Sequence, residues 1–324
     1  MYEKFYNLKE NPFEITPDPK FLYLSENHRE ALAHLIYAVR ERKGFTVITG
    51  EVGTGKTTLI QTLLSRLDGR TKTAYLFNPR LGTTDFLNYI CEDFGIKVQR
   101  RTKGQCLSQL HEFLMACYAR KENVVLIVDE AQKLDPNVLE EIRLLTNLET
   151  PKSKLLQVIL MGQPELDEVL NRSQFRQLKQ RIILRYRLTP LHKEETEEYI
   201  RRRLMTAGAV DPDLFTPKAL DQICEYSGGV PRLINIVCDN ALLRGYASDQ
   251  KIIGERIIRE VVNNLDGVNP RKRRGRSKYW IWISSAALCL LGFFFLWRYE
   301  FFGNEGWIFL EWIRIIKGII GGIY

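Results

Sequence analysis

The sequence predicts an α/β protein built on a parallel sheet, continued by an all-helical segment and then by a membrane-crossing helix. Three observations carry this. From Phe45 to about Pro190, short β-rich runs alternate with helical stretches, the order that a parallel sheet with crossover helices requires. At the first strand–helix junction stands Gly50-Glu51-Val52-Gly53-Thr54-Gly55-Lys56-Thr57, a glycine-rich pattern suited to holding phosphate. Near the C-terminus, Tyr279 to Trp297 runs for nineteen residues without a charge.

The elements follow in order. With 324 residues, 45% of them hydrophobic and 27% charged, the chain has apolar side chains for more than one core and is not a disordered or fibrous sequence. Met1 to Lys43 is a proline-marked lead and then an apolar-periodic helix, about His28 to Arg42, that stops at Gly44. The strand candidates are FTVIT (45–49), TAYLF (73–77), VVLIV (124–128), LLQVILM (155–161) and IILRYRL (182–188), five runs suited to a parallel α/β sheet. Leu191 to Leu265 keeps helical periodicity, broken at Gly208, at Gly228-Gly229 and near Ser248. The expected division is therefore a nucleotide-binding α/β domain over 1–190, a helical lid over 191–265 and a basic linker over 266–278. A membrane span over 279–297 and a short tail over 298–324 complete it.

Charge needs to be located before it is interpreted. Of the net +8, six positive charges sit between Arg271 and Lys278 and the tail beyond is neutral, so residues 1–270 keep only +2. A basic balance confined to eight residues is not the footprint of a nucleic-acid-binding surface. It abuts the uncharged segment Tyr279–Trp297, which as a helix is roughly 28 Å long, close to the hydrocarbon thickness of a bilayer. Trp280, Trp282, Trp297 and Tyr299 flank its ends, where amphipathic rings favour the headgroup region. A buried core helix is the competing reading, and the adjoining cations oppose it. The positive-inside rule places Arg271–Lys278 and everything before it in the cytoplasm. The tail Trp307–Tyr324 is apolar, yet Glu311, Arg314 and Lys317 recur on one helical face. It reads either as a helix lying in the membrane interface or as a short second span. The six cysteines form no CxxC pair and no ligand spacing with the four histidines, which favours buried reduced thiols over a disulfide scaffold or a metal site. No apolar run near Met1 suggests a signal peptide.

The chemistry concentrates at strand ends. In the Gly50–Thr57 pattern the glycines let consecutive backbone N–H groups face one phosphate chain, with Glu51, Val52, Thr54 and Thr58 completing the candidate binding loop. Lys56 would reach the β- and γ-phosphates of ATP, and the Thr57 hydroxyl would ligate Mg²⁺. The third strand candidate ends in Asp129-Glu130: after an apolar strand in such a chain, the first acid suits Mg²⁺ and the second suits deprotonating the attacking water. Otherwise the pair is a turn or a helix cap. Gln163, at the tip of the fourth strand, could hydrogen-bond the γ-phosphate or that water, or be a plain loop residue. Arg181, with Arg176 in reserve, could point at a neighbouring subunit's nucleotide as a finger in trans, or be a surface cation. Arg232, after Pro231 at a helix start, would face the nucleotide when the helical domain folds over it.

These residues together resemble an AAA+ ATPase, and more narrowly the general secretion pathway protein A group. The opening Phe5-Tyr6-x-Leu8…Asn11-Pro12-Phe13…Thr16-Pro17-Asp18-Pro19-x-Phe21-Leu22-Tyr23-Leu24-Ser25 is similar to that group's. So are His28 to Leu35, Thr49 to Thr57, Asp129-Glu130-Ala131-Gln132 and Gly162-Gln163-Pro164-Glu165-Leu166. The resemblance covers roughly residues 1–265. It implies an αβα sandwich with a helical lid, adenine held by the N-terminal segment, homo-oligomers that depend on nucleotide, and an inner-membrane location. It further implies sensor roles for Gln163 and Arg232 and a finger role for Arg181. In the group these ATPases serve envelope secretion and export machinery, and members usually continue beyond the membrane helix into a periplasmic peptidoglycan-binding domain. Here only Arg298–Tyr324 stands in that place, too few residues for such a core. The expected function is a membrane-anchored ATPase of an envelope complex. A DNA-handling ATPase of the transposition-helper type, or a slow ATP-dependent scaffold or sensor, is the alternative.

Overall fold

In the computed structural model of the chain, residues 1–267 are described apart from Pro17, Asn78, Arg100 and Lys152. The expected span 279–297, the basic run from Arg271 and the tail 298–324 lie outside the described residues. Among the described residues no helix is long and apolar enough to cross a membrane.

Five parallel strands form the central sheet: β1 (Phe45–Gly50), β2 (Thr71–Leu76), β3 (Asn123–Val128), β6 (Gln157–Gly162) and β7 (Leu184–Leu188), in the order β2-β3-β6-β1-β7. Between β3 and β6 lies a minimal antiparallel hairpin, β4 (Glu149–Thr150) and β5 (Ser153–Lys154). All six residues of β1 and of β6 are buried, as continuous apolar strands covered on both faces must be. Because successive side chains point to opposite faces, one strand feeds two cores. Phe45 and Val47 join Leu126, Val158 and Leu160 against α3 (Thr83–Asp93), α4 (Lys103–Ala119) and α5 (Pro136–Leu145). Ile48 joins Val125, Ile127, Ile159 and Met161 against α1 (Glu26–Arg40) and α2 (Lys56–Arg66). The parallel sheet is the one the alternating pattern predicts, and its helical layers on both faces make the αβα sandwich that the resemblance implies. At the β7 edge the strand is half-buried and shows Arg185 and Arg187 to solvent.

Helix α1 starts two residues before the expected His28, because the Ser25 hydroxyl caps it by accepting from the His28 backbone N–H at 3.3 Å. A cap of this kind is worth about 1 kcal/mol. Buried Leu32, Leu35 and Val39 bring roughly 1.5–3 kcal/mol each, so packing holds the helix and the cap decides where it begins. Short α6 (Glu165–Leu170) and α7 (Arg176–Lys179) separate β6 from β7.

After β7 the chain is helical: α8 (Lys193–Thr206), α9 (Pro217–Ser227), α10 (Pro231–Ala247) and α11 (Glu255–Asp266). The breaks fall at Gly208, Gly228-Gly229 and Ser248. The N-terminal lead packs on these helices. Its Tyr2, Tyr6, Leu8 and Phe13 are buried, the Lys9 N–H donates to Ala207 O at 2.8 Å, and the Tyr6 hydroxyl donates to Gln250 O at 2.9 Å. Tyr2 and Asn11 both donate to the Asp239 carboxylate, and the Arg203 guanidinium donates to Pro12 O. Residues Met1–Asn263 form one compact unit.

Candidate nucleotide-binding site

Parallel sheets collect function at the carboxyl ends of their strands, and here β1, β3 and β6 deliver three polar loops side by side. The loop after β1 turns through left-handed glycines, Gly53 at φ +84° and Gly55 at φ +95°, before α2 opens at Lys56. Thr54 is buried and pins the turn through its hydroxyl, which donates to Glu51 O at 2.9 Å. Gly55 caps α2 without a side-chain acceptor, so the first helical N–H groups face outward at the positive end of the helix dipole. Lys56 is buried. Its Nζ donates to Gly50 O at 2.8 Å and Glu51 O at 2.9 Å, carbonyls that phosphate oxygens can replace as acceptors. Burial pushes its pKa down, while the carboxylates of Asp129 and Glu130 pull the other way.

At the end of β3 Asp129 is buried and fully engaged. Its Oδ2 accepts from the Thr57 hydroxyl at 3.3 Å and from the Tyr75 hydroxyl at 3.1 Å, and its Oδ1 accepts from the Glu130 N–H at 2.8 Å. Tyr75 stands on neighbouring β2, and its phenol is pushed up by burial and by Asp129. Glu130 has a left-handed backbone, φ +53°. Burial raises its pKa, but Lys133 at 2.7 Å, then Gln132 and Lys56, outweigh burial and hold the carboxyl below its usual range. Gln163, just past β6, sends its side-chain amide to Glu130 at 3.4 Å and its backbone N–H to Gln132 Oε1 at 3.1 Å.

A cleft of about 510 Å³ opens in front of this floor. Its walls are the loop and start of α2 (Val52, Gly53, Gly55 to Leu59), Glu130, the lead residues Glu14 to Thr16, Asp18 and Phe21 to Leu24, and Tyr199, Arg203 and Arg232 of α8 and α10. Asp129 and Gln163 do not line it; they are bonded to Thr57 and Glu130, which do. Arg232 stands against the loop, its N–H directed at Gly53 O at 3.4 Å. Arg181 does not reach the cleft of its own chain, since its guanidinium donates to the Thr146 hydroxyl at 3.2 Å. Arg176 is exposed at the start of α7, also outside the cleft.

The residues present suit a magnesium nucleotide. Among the described residues no group of three or more His, Cys, Asp or Glu could hold a metal, and Mg²⁺ needs none, being held by one or two protein oxygens plus phosphates and water.

Sequence reading did not find His28 as part of the site. Its ring is buried under the loop. Nε2 lies 2.8 Å from Thr54 O, and a carbonyl only accepts, so Nε2 carries the proton and Nδ1 accepts from the Ser25 hydroxyl at 2.7 Å. Burial pushes its pKa down, against the opposing Thr54 carbonyl and Glu195. Tyr75, Gln132 and Lys133 were missed likewise, because each acts through a contact and not through a motif position of known chemistry.

Known proteins share parts of this sequence and fold. Residues 39–170 match the family model described as an AAA domain. The chain is 44% identical over 304 residues to General secretion pathway protein A of Aeromonas hydrophila, covering 94% of this chain and 55% of the relative, so it spans about half of that protein's length. Two solved structures share the fold. The Aeropyrum pernix ORC2 protein has a TM-score of 0.58 at 19% identity and covers 79% of this chain and 71% of its own. The Drosophila ORC, in a structure bound to DNA, has a TM-score of 0.63 at 16% identity and covers 85% and 70%. The chain is thus similar along nearly its whole length to general secretion pathway protein A, and its match to the AAA domain spans the glycine loop and both acids at the end of β3.

Proposed function

We propose that this chain is a membrane-anchored ATPase that hydrolyses Mg-ATP to drive assembly or export through a bacterial envelope complex of the type II secretion, pilus or exopolysaccharide kind. The observation that carries the hydrolytic part is the convergence of Lys56, the Thr57–Asp129 pair and Glu130 on one cleft. The envelope part rests on the Aeromonas hydrophila relative and on the uncharged segment Tyr279–Trp297 beside six cations.

In this reading the Gly50–Thr58 loop binds the phosphates through backbone N–H groups and Lys56. Thr57 and Asp129 would hold Mg²⁺, which supplies charge neutralisation at the β- and γ-phosphates. Glu130, ionised at neutral pH, accepts a proton from the attacking water, and Gln163 orients that water or the γ-phosphate. The lead residues around Ile15, Thr16 and Phe21 to Leu24 enclose the adenine. Residues 191–265 act as the lid, and Arg232, set against Gly53, couples the lid's position to the phosphates. Arg181, or Arg176, serves the site of the next copy in a nucleotide-dependent homo-oligomer, since neither reaches the cleft of its own chain. The residues before the span lie in the cytoplasm.

The test is a trap. Glu130→Gln binds Mg-ATP without turning it over, so cross-linking in native membranes captures the client, with Lys56→Ala as control. Enrichment of a secretin, pilus or polysaccharide-export component supports the proposal. Enrichment of nucleic-acid proteins, with steeply salt-dependent duplex binding, replaces it with the DNA-handling reading. Turnover that stays negligible in membranes with partners present replaces it with an ATP-dependent scaffold or sensor.

A further inference from the structure

We infer that Gln132 is a positioning residue of this site: one side-chain amide fixes the base Glu130 and the β6 tip at Gln163 relative to each other. The inference rests on the hydrolytic reading above.

Gln132 lies in the single 3₁₀ turn Ala131–Lys133 that follows the two acids, half-buried behind the cleft. Its amide uses both ends. Oε1 accepts from the Gln163 backbone N–H at 3.1 Å, and Nε2 donates to Glu130 Oε2 at 3.0 Å. The assignment of oxygen and nitrogen follows from the partners: a backbone N–H can only donate, and an ionised carboxylate can only accept. Flipping the amide would set donor against donor and acceptor against acceptor, so a single orientation satisfies the pair.

Space for the amide is provided by β6. A Cβ added at Gly162 would come within 2.7 Å of Gln132 Oε1, so a side chain there would displace the amide from the strand tip. The other contacts of Glu130 either do not reach β6 or are longer. Lys133 supplies charge from an exposed stem, and no bond from it to β6 is present among the described residues. Gln163 reaches Glu130 only at 3.4 Å, a longer and weaker bond than the 3.0 Å one from Gln132. Gln132 thus ties the carboxylate that takes the proton to the strand end assigned to the γ-phosphate through two bonds, each shorter than the direct 3.4 Å contact between them. It does not line the cleft, so its contribution falls on the geometry of turnover and not on nucleotide affinity. A misplacement of about 1 Å at a reacting group costs on the order of a hundredfold in rate.

Two variants separate this role from a merely structural one, measured on the purified full chain. Gln132→Met keeps the length and removes both bonds. Gln132→Glu keeps the acceptor for Gln163 and removes the donor to Glu130. For Gln132→Met we expect kcat to fall at least about tenfold with KM for ATP changed less than about threefold. In the nucleotide-free protein its Gln163 amide should exchange with solvent hydrogen markedly faster. Gln132→Glu should lose kcat similarly while keeping the Gln163 amide protected. A Gln132→Met protein with kcat within about twofold of wild type and unchanged Gln163 exchange overturns the inference, as does a KM that rises in step with a falling Tm. Lys56→Ala and Glu130→Gln are run alongside. If both retain turnover, the hydrolytic reading falls and this inference with it; if both lose turnover and Gln132→Met does not, the inference alone falls.

Discussion

At the scale of single residues, the site divides into groups that a motif announces and groups that only the fold supplies. Lys56, Thr57, Asp129 and Glu130 are legible because phosphate and magnesium chemistry fixes their type and spacing along a short stretch of chain. His28, Tyr75 and Gln132 are not, because each meets its partner across 26, 54 and 31 residues of sequence, and no local pattern encodes such a contact. His28 makes a testable case. Its folded pKa lies below the ordinary value of about 6.5, so just under that pH the unfolded chain binds more protons than the folded one. Stability therefore rises with pH through this window and is lost as pH falls below about 6.5. Tm measured from pH 7.5 down to 5.5 is expected to decline in the wild type. In His28→Gln, which can still donate to Thr54 O but does not titrate, the decline should be shallower. Identical slopes in the two proteins would remove His28 from the account.

Among the elements, all five strands of the main sheet stand where short β-rich runs put them: β1, β3 and β6 because strands buried on both faces are almost pure apolar sequence, and edge strands β2 and β7 because β-rich residues there alternate with polar ones that face solvent. The β4–β5 hairpin was not legible, since two residues per strand cannot display a period. The start of α1 was misplaced by two residues because a serine cap competes with the apolar pattern as the boundary signal. The glycine pair after α9 was read as a break, and the structure gives the physical reason. Gly229 has φ +76°, and a Cβ there would lie 1.9 Å from Leu191 O, the carbonyl just ahead of α8. Gly229→Ala is therefore expected to cost at least about 2 kcal/mol, from left-handed backbone strain together with the clash. Denaturant unfolding measures it, and a loss under 0.5 kcal/mol would show that the α8–α10 junction yields more freely than its geometry implies.

On the scale of the whole molecule, the lead belongs structurally to the helices that follow the sheet, although bonded partners such as Pro12–Arg203 and Tyr2–Asp239 lie 191 and 237 residues apart. Asp239 on α10 accepts from both Tyr2 and Asn11, and Arg203 on α8 donates to the backbone carbonyl of Pro12 while its guanidinium stacks over Phe21, 4.9 Å from the ring centre. One wall of the cleft is thus held by the other. Removing a partner so that donors are left unpaired costs about 1–3 kcal/mol locally. Asp239→Ala should therefore raise KM for ATP several-fold while leaving kcat at saturation near wild type, and an unchanged KM would mean that the lead does not shape the nucleotide pocket. The location of charge was also legible at this scale: residues 1–270 are nearly neutral, and the basic character sits beside the uncharged segment.

The central claim is that this cleft hydrolyses a magnesium nucleotide with Glu130 as the base. Its most direct test is the pair of measurements, Mg-ATP dissociation constant and turnover, on Glu130→Gln beside the wild-type chain. The account predicts affinity within about threefold of wild type and turnover reduced by on the order of a hundredfold or more, the usual contribution of a positioned general base. Turnover equal to wild type with affinity unchanged would contradict it.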